Sequence, residues 1–328
     1  MRAGAPPQRR PVQVERITGD IKQLVFDPIT PYLKDTEHLL ISPDSQLNRL
    51  PFEALQPKTG GDYLVQQYQI SYLNSGRDLR KFDLTQPSPN PAVIVANPNY
   101  ETADDTVQLA QTPNRNPGNN RRSNDLSQIQ VDSLPGTAAE AEAIQPLLPD
   151  ANIYTEDKAT ENALKTVQSP QILHIATHGF FLPDLKRSQT SRDASNENPL
   201  LRSGLALAGF NVRQSGNDDG VLTALESSQL NLSGTELVVL SACQTGLGDI
   251  ANGEGVYGLR RAFAIAGAET QLMSLWNVSD TGTQSLMVRY YDKLMDGMGR
   301  SEALRAVQLE MINQGENTVV LTTGRRLF

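Results

Sequence analysis

The sequence predicts an α/β fold built on a mostly parallel central sheet. Three observations lead there. Short apolar runs such as Ala92–Ala96, Gln171–Thr177 and Glu236–Leu240 are continuous rather than alternating, as in strands buried on both faces. From residue 151 onward such runs alternate with helical segments, the order that parallel strands with crossover helices produce. A chain of 328 residues with 38% hydrophobic and 20% charged residues has the material for one large core, which argues against wholesale disorder.

The elements follow in order. Residues 1–19, rich in Pro, Gln and Arg, are expected to be disordered. A first structured half, 20–100, holds the apolar run His38–Ser42, closed by Pro43-Asp44. It continues with a short helix at Leu50–Leu55 that carries Pro51 in its first turn, the alternating stretch Tyr63–Leu73, and the run Ala92–Ala96. Residues 101–132 are crowded with Asn, Gln, Asp, Arg and Pro and read as a polar insert, whose exposure makes it a place for autoprocessing.

A second half, 133–316, opens at Leu134-Pro135-Gly136-Thr137, with Thr137 as N-cap and Glu140 completing a capping box for a helix over Ala138–Leu148. Strand Asn152–Thr155, a helix over Ala159–Val167 begun near Thr160, and strand Gln171–Thr177 come next. After a polar loop at 184–199 follow strand Leu205–Ala208, helix Leu222–Gln229 and strand Glu236–Leu240. A helix over Gly255–Ala266 stops at Gly267, strand Glu269–Leu275 follows, and helices occupy 281–296 and 301–313. Residues 317–328 form a C-terminal tail.

Charge and cysteine content narrow the function. A net charge of -8 without a basic run argues against direct nucleic-acid binding and suits a basic peptide or protein better. One cysteine excludes a disulfide within the chain and a cysteine-based zinc cluster, and it fits a reducing compartment. The basic start MRAGAPPQRRPVQ has no apolar stretch behind it, so it does not read as a secretory signal. No segment approaches transmembrane length. The expected protein is soluble and cytoplasmic, with no membrane partner.

Two residues carry the chemistry. His178 follows one apolar strand and Cys243 follows another, in the small polar segment Ser241-Ala242-Cys243-Gln244-Thr245-Gly246. In open parallel sheets ligands bind outside the carboxyl ends of strands, so both residues are placed at the binding edge. A thiolate is a nucleophile, and a nearby imidazole accepts its proton or protonates a leaving amine. The N–H groups of Gly179 and Cys243 are the candidate oxyanion donors, a contribution on the order of 3 kcal/mol each. The competing reading makes Cys243 a small core residue. His174 reads as a buried, hydrogen-bonded histidine, although it shares a face with His178 in a regular strand and a supporting role stays open. His38 is assigned no function.

The segments His174-Ile175-Ala176-Thr177-His178-Gly179 and Leu240-Ser241-Ala242-Cys243-Gln244-Thr245-Gly246 resemble the two signature motifs of the CHAT domain. That is the caspase-like peptidase domain related to caspases and separase, often attached to tetratricopeptide repeats. Gly253-Glu254-Gly255, Arg261-Ala262-Phe263, Ala266-Gly267-Ala268 and Ser274–Asp280 continue the resemblance. So do Ile41-Ser42-Pro43-Asp44, Leu50–Leu55 and Leu134-Pro135-Gly136-Thr137 upstream. It implies a caspase-like three-layer sandwich over residues 20–316, with His178 as catalytic histidine and Cys243 as nucleophile. It also implies cleavage of a protein or peptide through a thioester, no metal or organic cofactor, and a tetratricopeptide-repeat regulatory partner. The ending Asn317–Phe328 departs from the family's usual aromatic-containing close, which predicts loss of an edge strand.

Asp280, Trp276 and Gln244 are the candidate substrate-binding residues. Asp280 would accept a basic side chain of the substrate, against a plainer role as the acid that begins the following helix. Trp276, the only tryptophan, would wall the groove or fill a core gap. The glycine-rich stretch 246–255 lacks the Lys-Ser/Thr ending of a phosphate loop, and Asp218-Asp219 lack a calcium-loop pattern. Two alternatives to the peptidase stand open: a catalytically silent scaffold of the same fold, and a nucleotide-binding α/β module with a structural Cys243.

Overall fold

The computed structural model describes residues 11–58, 61–81, 87–104, 129–181, 199–244, 254–274, 280–314 and 321–324. Helix α1 (Pro11–Ile21) leads through a π turn at Lys22–Phe26 to the short helix α2 (Thr30–Leu33). Strand β1 (His38–Ile41), helix α3 (Leu64–Gln67) and strand β2 (Gln69–Tyr72) complete the first unit. β1 and β2 pair in parallel, and Phe26, Phe52, Leu55, Leu64 and Ile70 form a small core beneath them. Helix α1 overturns the disorder expected for residues 11–19, since Pro11 suits a first turn and Val14, Ile17 and Ile21 recur at helical spacing. Residues 1–10 lie outside the described residues. The stretch Tyr63–Leu73 is also not one strand: Gln66 Oε1 accepts from Tyr63 N–H at 2.8 Å, which turns the chain into α3 before β2 begins.

The main body follows as β3 (Val93–Pro98), α4 (Pro135–Ile144), β4 (Asn152–Glu156), α5 (Glu161–Lys165) and β5 (Ile172–Phe181). It continues with β6 (Ser203–Ala206), β7 (Val221–Thr223), α6 (Ala224–Ser227), β8 (Leu237–Gln244) and α7 (Glu254–Ala266). It ends with β9 (Thr270–Ser274), α8 (Asp280–Met295), α9 (Arg300–Asn313) and β10 (Leu321–Gly324). The strand order is β1-β2-β10-β9-β8-β5-β3-β4, with β6 and β7 branching from β5. β4, β3, β5, β8 and β9 run parallel to one another.

One sheet face packs Ile94, Ala176, Val239 and Leu272 against Ile144 of α4 and Tyr290 and Tyr291 of α8. The opposite face packs Val95, Ile175, Val238 and Leu240 against Leu164 of α5 and Phe263 of α7. Both faces are covered, so the strands carry apolar residues at consecutive positions, and the predicted three-layer sandwich is the architecture observed. Thr160 caps α5 as its position in the sequence suggests, its hydroxyl accepting from Ala163 N–H at 3.1 Å, a bond worth about 1 kcal/mol.

Three further expectations are corrected. Helix α4 begins at Pro135, so Thr137 lies within the first turn, and its hydroxyl donates to Leu134 C=O at 2.7 Å instead of capping. Glu140 is buried and forms no capping box. The helix expected over Leu222–Gln229 starts as strand β7, and Thr223 then caps α6 in a capping box with Glu226. The tail adds a strand rather than removing one: β10 pairs antiparallel with β9 and meets β2 at Tyr72. Thr322 and Thr323 of β10 are β-branched, as residues that favour strands often are.

A buried acid ties the first unit together. Glu53 is 4% exposed, and its Oε2 accepts the Tyr72 hydroxyl at 2.6 Å. Burial pushes its pKa from 4.5 up to about 7, against a smaller opposing effect of the Tyr72 hydrogen bond. Burial raises Glu161 to about 7 as well. The folded chain therefore holds protons that the unfolded chain releases above about pH 4.5, and this stabilisation is lost as pH rises through about 7. We expect the thermal midpoint to fall between about pH 5 and about pH 8, and Glu53→Gln to remove part of that fall. An identical pH slope in the variant would contradict the assignment.

Candidate active site

The two central strands bring the predicted pair together. β5 and β8 are hydrogen-bonded neighbours in parallel, in register from Ile172↔Leu237 to Gly179↔Gln244. The Cα of His178 therefore stands opposite the Cα of Cys243, and Gly179 stands opposite Gln244. Both strands run past the apolar segments that betray them in the sequence. β3 pairs with β5 only as far as Ala176, and β6 then pairs antiparallel with β5 from Gly179 to Phe181. That second partner carries the strand on through His178-Gly179 to Phe181, beyond the end expected at Thr177.

His178 is 2% exposed, and its Nε2 lies 2.7 Å from the carbonyl oxygen of Asp132. A carbonyl only accepts, so Nε2 carries a proton, and in the neutral ring Nδ1 is the nitrogen with the lone pair. A second support comes from Tyr100, whose ring centroid lies 5.3 Å from that of His178 at a 41° tilt. Thr177 donates its hydroxyl hydrogen to Ala206 C=O, so Tyr100 donates its own to Thr177 Oγ1 at 3.0 Å. The Tyr100 oxygen in turn accepts the backbone N–H of His178. Burial pushes the Tyr100 pKa up to about 12, so the phenol keeps the proton this arrangement needs.

The segment that presents the Asp132 carbonyl is itself clamped. The Asn211 side-chain amide accepts Val131 N–H at 2.9 Å and donates to Val131 C=O at 2.9 Å, as a neighbouring strand would. Arg213 Nη2 donates to Ile129 C=O at 3.0 Å. Asn211 N–H donates to Tyr100 C=O at 2.8 Å, so one loop fixes both supports of His178.

The remaining site residues fall as follows. Gly179 is paired in register with Leu205 of β6 as well as with Gln244. Asp280 is the first residue of α8. Trp276, the glycine-rich stretch through 253 and insert residues 105–128 lie outside the described residues. Asp218 is engaged by Lys165 Nζ at 3.0 Å, and Asp219 Oδ1 accepts Val221 N–H at 3.2 Å. Sequence reasoning missed Asp132, Tyr100 and Asn211. Tyr100 was findable, because it follows the carboxyl end of a parallel strand just as His178 and Cys243 do. Asp132 acts through its backbone and leaves no side-chain signal.

Architecture and strand register together define a three-layer α/β sandwich with a histidine and a cysteine paired across two adjacent parallel strands. The CHAT domain family model matches residues 15–319, and the chain belongs to that family. It is 22% identical over 285 residues to human tetratricopeptide repeat protein 28, covering 81% of this chain and 11% of that protein. It is 36% identical over 92 residues to the mouse protein of the same name, covering 27% of this chain and 4% of that one. The chain thus spans a small part of the length of these relatives. Among solved structures it is similar to Saccharomyces cerevisiae separase in the separase–securin complex, at 13% identity and a TM-score of 0.48, covering 88% of this chain and 15% of that chain. It is also similar to the Arg-specific cysteine proteinase gingipain R, at 11% identity and a TM-score of 0.49, covering 93% of this chain and 66% of that chain. No described helix is long and apolar enough to cross a membrane.

Proposed function

We propose that the chain is a cysteine endopeptidase that cleaves a protein or peptide with Cys243 and His178. The observation that carries this reading is the in-register pairing of the two residues, with the imidazole held by the Asp132 carbonyl through Nε2–H. The Cys243 thiolate attacks the scissile carbonyl carbon, and the thiol proton passes to His178. The tetrahedral intermediate collapses to a thioester as the imidazolium protonates the leaving amine. Water then adds to the thioester, giving up a proton to His178, and collapse breaks the carbon–sulfur bond, releasing the acid as the Cys243 thiolate takes the proton back from the imidazolium. The N–H groups of Gly179 and Cys243 hold the oxyanion in both tetrahedral states.

The net charge of -8 and Asp280 at the start of α8 favour a substrate with a basic side chain at the cleavage position, and Gln244 and Trp276 remain the other candidate substrate-binding residues. The tetratricopeptide-repeat relatives support a helical-repeat regulatory partner for a soluble, cytoplasmic enzyme.

A panel of peptidyl acyloxymethyl ketones tests this reading. We expect labelling at Cys243, mapped by mass spectrometry, that is strongest for a basic residue next to the warhead and disappears in Cys243→Ala and His178→Ala. A folded wild-type protein that resists the whole panel would contradict the peptidase and restore the silent scaffold.

A further inference from the structure

Beneath the pair lies a buried polar chain that the proposed chemistry does not use. Ser241, two residues before Cys243 on β8, donates its hydroxyl to Glu140 Oε2 of α4 at 2.8 Å. Glu140 Oε1 stands 3.2 Å from His174 Nε2 on β5, an ion-pair distance at an angle too oblique for a straight hydrogen bond. His174 Nδ1 in turn lies 3.0 Å from the Tyr291 hydroxyl on α8. Glu140 is 3% exposed, and His174 and Tyr291 are 0% exposed. Burial holds the Tyr291 pKa far above its ordinary value, so the phenol stays protonated.

Four elements meet at this one carboxylate and its neighbours. His174 lies in register with Val239, as His178 does with Cys243, so on the same two strands and the same face Ser241 sits one strand repeat and His174 two repeats below the pair. α4 is pinned further by Gln284 Nε2 donating to Ala139 C=O at 3.0 Å and by Asn97 N–H donating to Thr137 Oγ1 at 3.1 Å. The helix begins at Pro135, three residues after Asp132, whose carbonyl fixes the His178 proton. A core that only needed filling would place apolar side chains here, because buried ionic groups seldom add stability over well-packed hydrophobic ones.

We propose that Glu140 and His174 are positioning residues: they lock α4 to β5 and β8, and thereby set where the Asp132 carbonyl holds His178 relative to Cys243. The inference rests on the reading of His178 and Cys243 as the reacting pair. Neither Glu140 nor His174 touches substrate. Their effect runs through the tautomer and placement of the His178 ring.

The chain has three histidines, so imidazole ¹⁵N–¹H correlation spectra can be assigned with His38→Gln and His178→Gln. In the wild type we expect His178 as a single tautomer protonated at Nε2. In Glu140→Gln, which keeps an oxygen for the Ser241 hydroxyl but removes the charge facing His174, the His178 signals should move toward a mixture of tautomers. Cys243 labelling should slow about 100-fold, the loss that a roughly 1 Å misplacement produces. Ser241→Ala removes a single hydroxyl from the same carboxylate and reads out the same resonance if Glu140→Gln fails to fold. Unchanged His178 signals and labelling in a folded variant would overturn the inference and leave the peptidase reading intact. A tautomer shift in a protein that labels in no form would uphold the coupling and overturn the peptidase.

Discussion

Cys243→Ala and His178→Gln should each lower hydrolysis of the best-labelled peptide by about 10⁴-fold or more, the scale of losing a nucleophile or its base. The two changes act on one unit, so the double variant should be no slower than either single one. Glutamine is the informative replacement at His178, because its side-chain amide can still donate toward the Asp132 carbonyl while offering no base. Steady-state hydrolysis checks the expectation, with circular dichroism to confirm the fold. Turnover within about tenfold of wild type in either variant would remove that residue from the mechanism.

Gly209→Ala should be the most damaging single methyl group in the described residues. Gly209 has φ of +78°, and a Cβ there would lie 1.8 Å from the Gln214 carbonyl oxygen. The neighbouring backbone cannot yield easily, because Gly209 N–H donates to Asn99 C=O and Gln214 N–H donates to Gly209 C=O. A left-handed residue with a side chain costs about 1 kcal/mol or more, and the clash adds to it, so a total near 3 kcal/mol is expected. For a chain of this size that lowers the thermal midpoint by roughly 4 °C. The same loop carries Asn211 and Arg213, which clamp residues 129–131 beside Asp132, so activity should fall further than stability alone dictates. A midpoint within about 1 °C of wild type would show that the loop relaxes around the added methyl.

Much of this architecture was legible in the residues. The strands at Val93, Ile172 and Leu237 announce themselves because burial on both faces demands unbroken apolar runs. The cap at Thr160 follows from local chemistry alone. What escaped depends on neighbours distant in sequence. The strand read as Gln171–Thr177 continues to Phe181, because β6 pairs with Gly179 to Phe181 and takes up their hydrogen bonds beyond the apolar run. Glu140 has the spacing of a capping box, and only the folding of β8 and β5 around α4 turns it inward to Ser241 and His174. Glu53 likewise sits in the short helix read at Leu50–Leu55, and only the fold brings Tyr72 over it. At the site, the His178–Cys243 pair was visible from strand ends, whereas its supports, a backbone carbonyl and an asparagine mimicking a strand, were not.

Activation of Cys243 by His178 can be measured without any substrate, because the chain has a single cysteine. The rate of alkylation by iodoacetamide against pH, in wild type and His178→Gln, tests it most directly. We expect a wild-type thiol that reacts well below the ordinary cysteine pKa of about 8.5 and a variant whose profile returns toward that value. Superimposable profiles in the two proteins would contradict it.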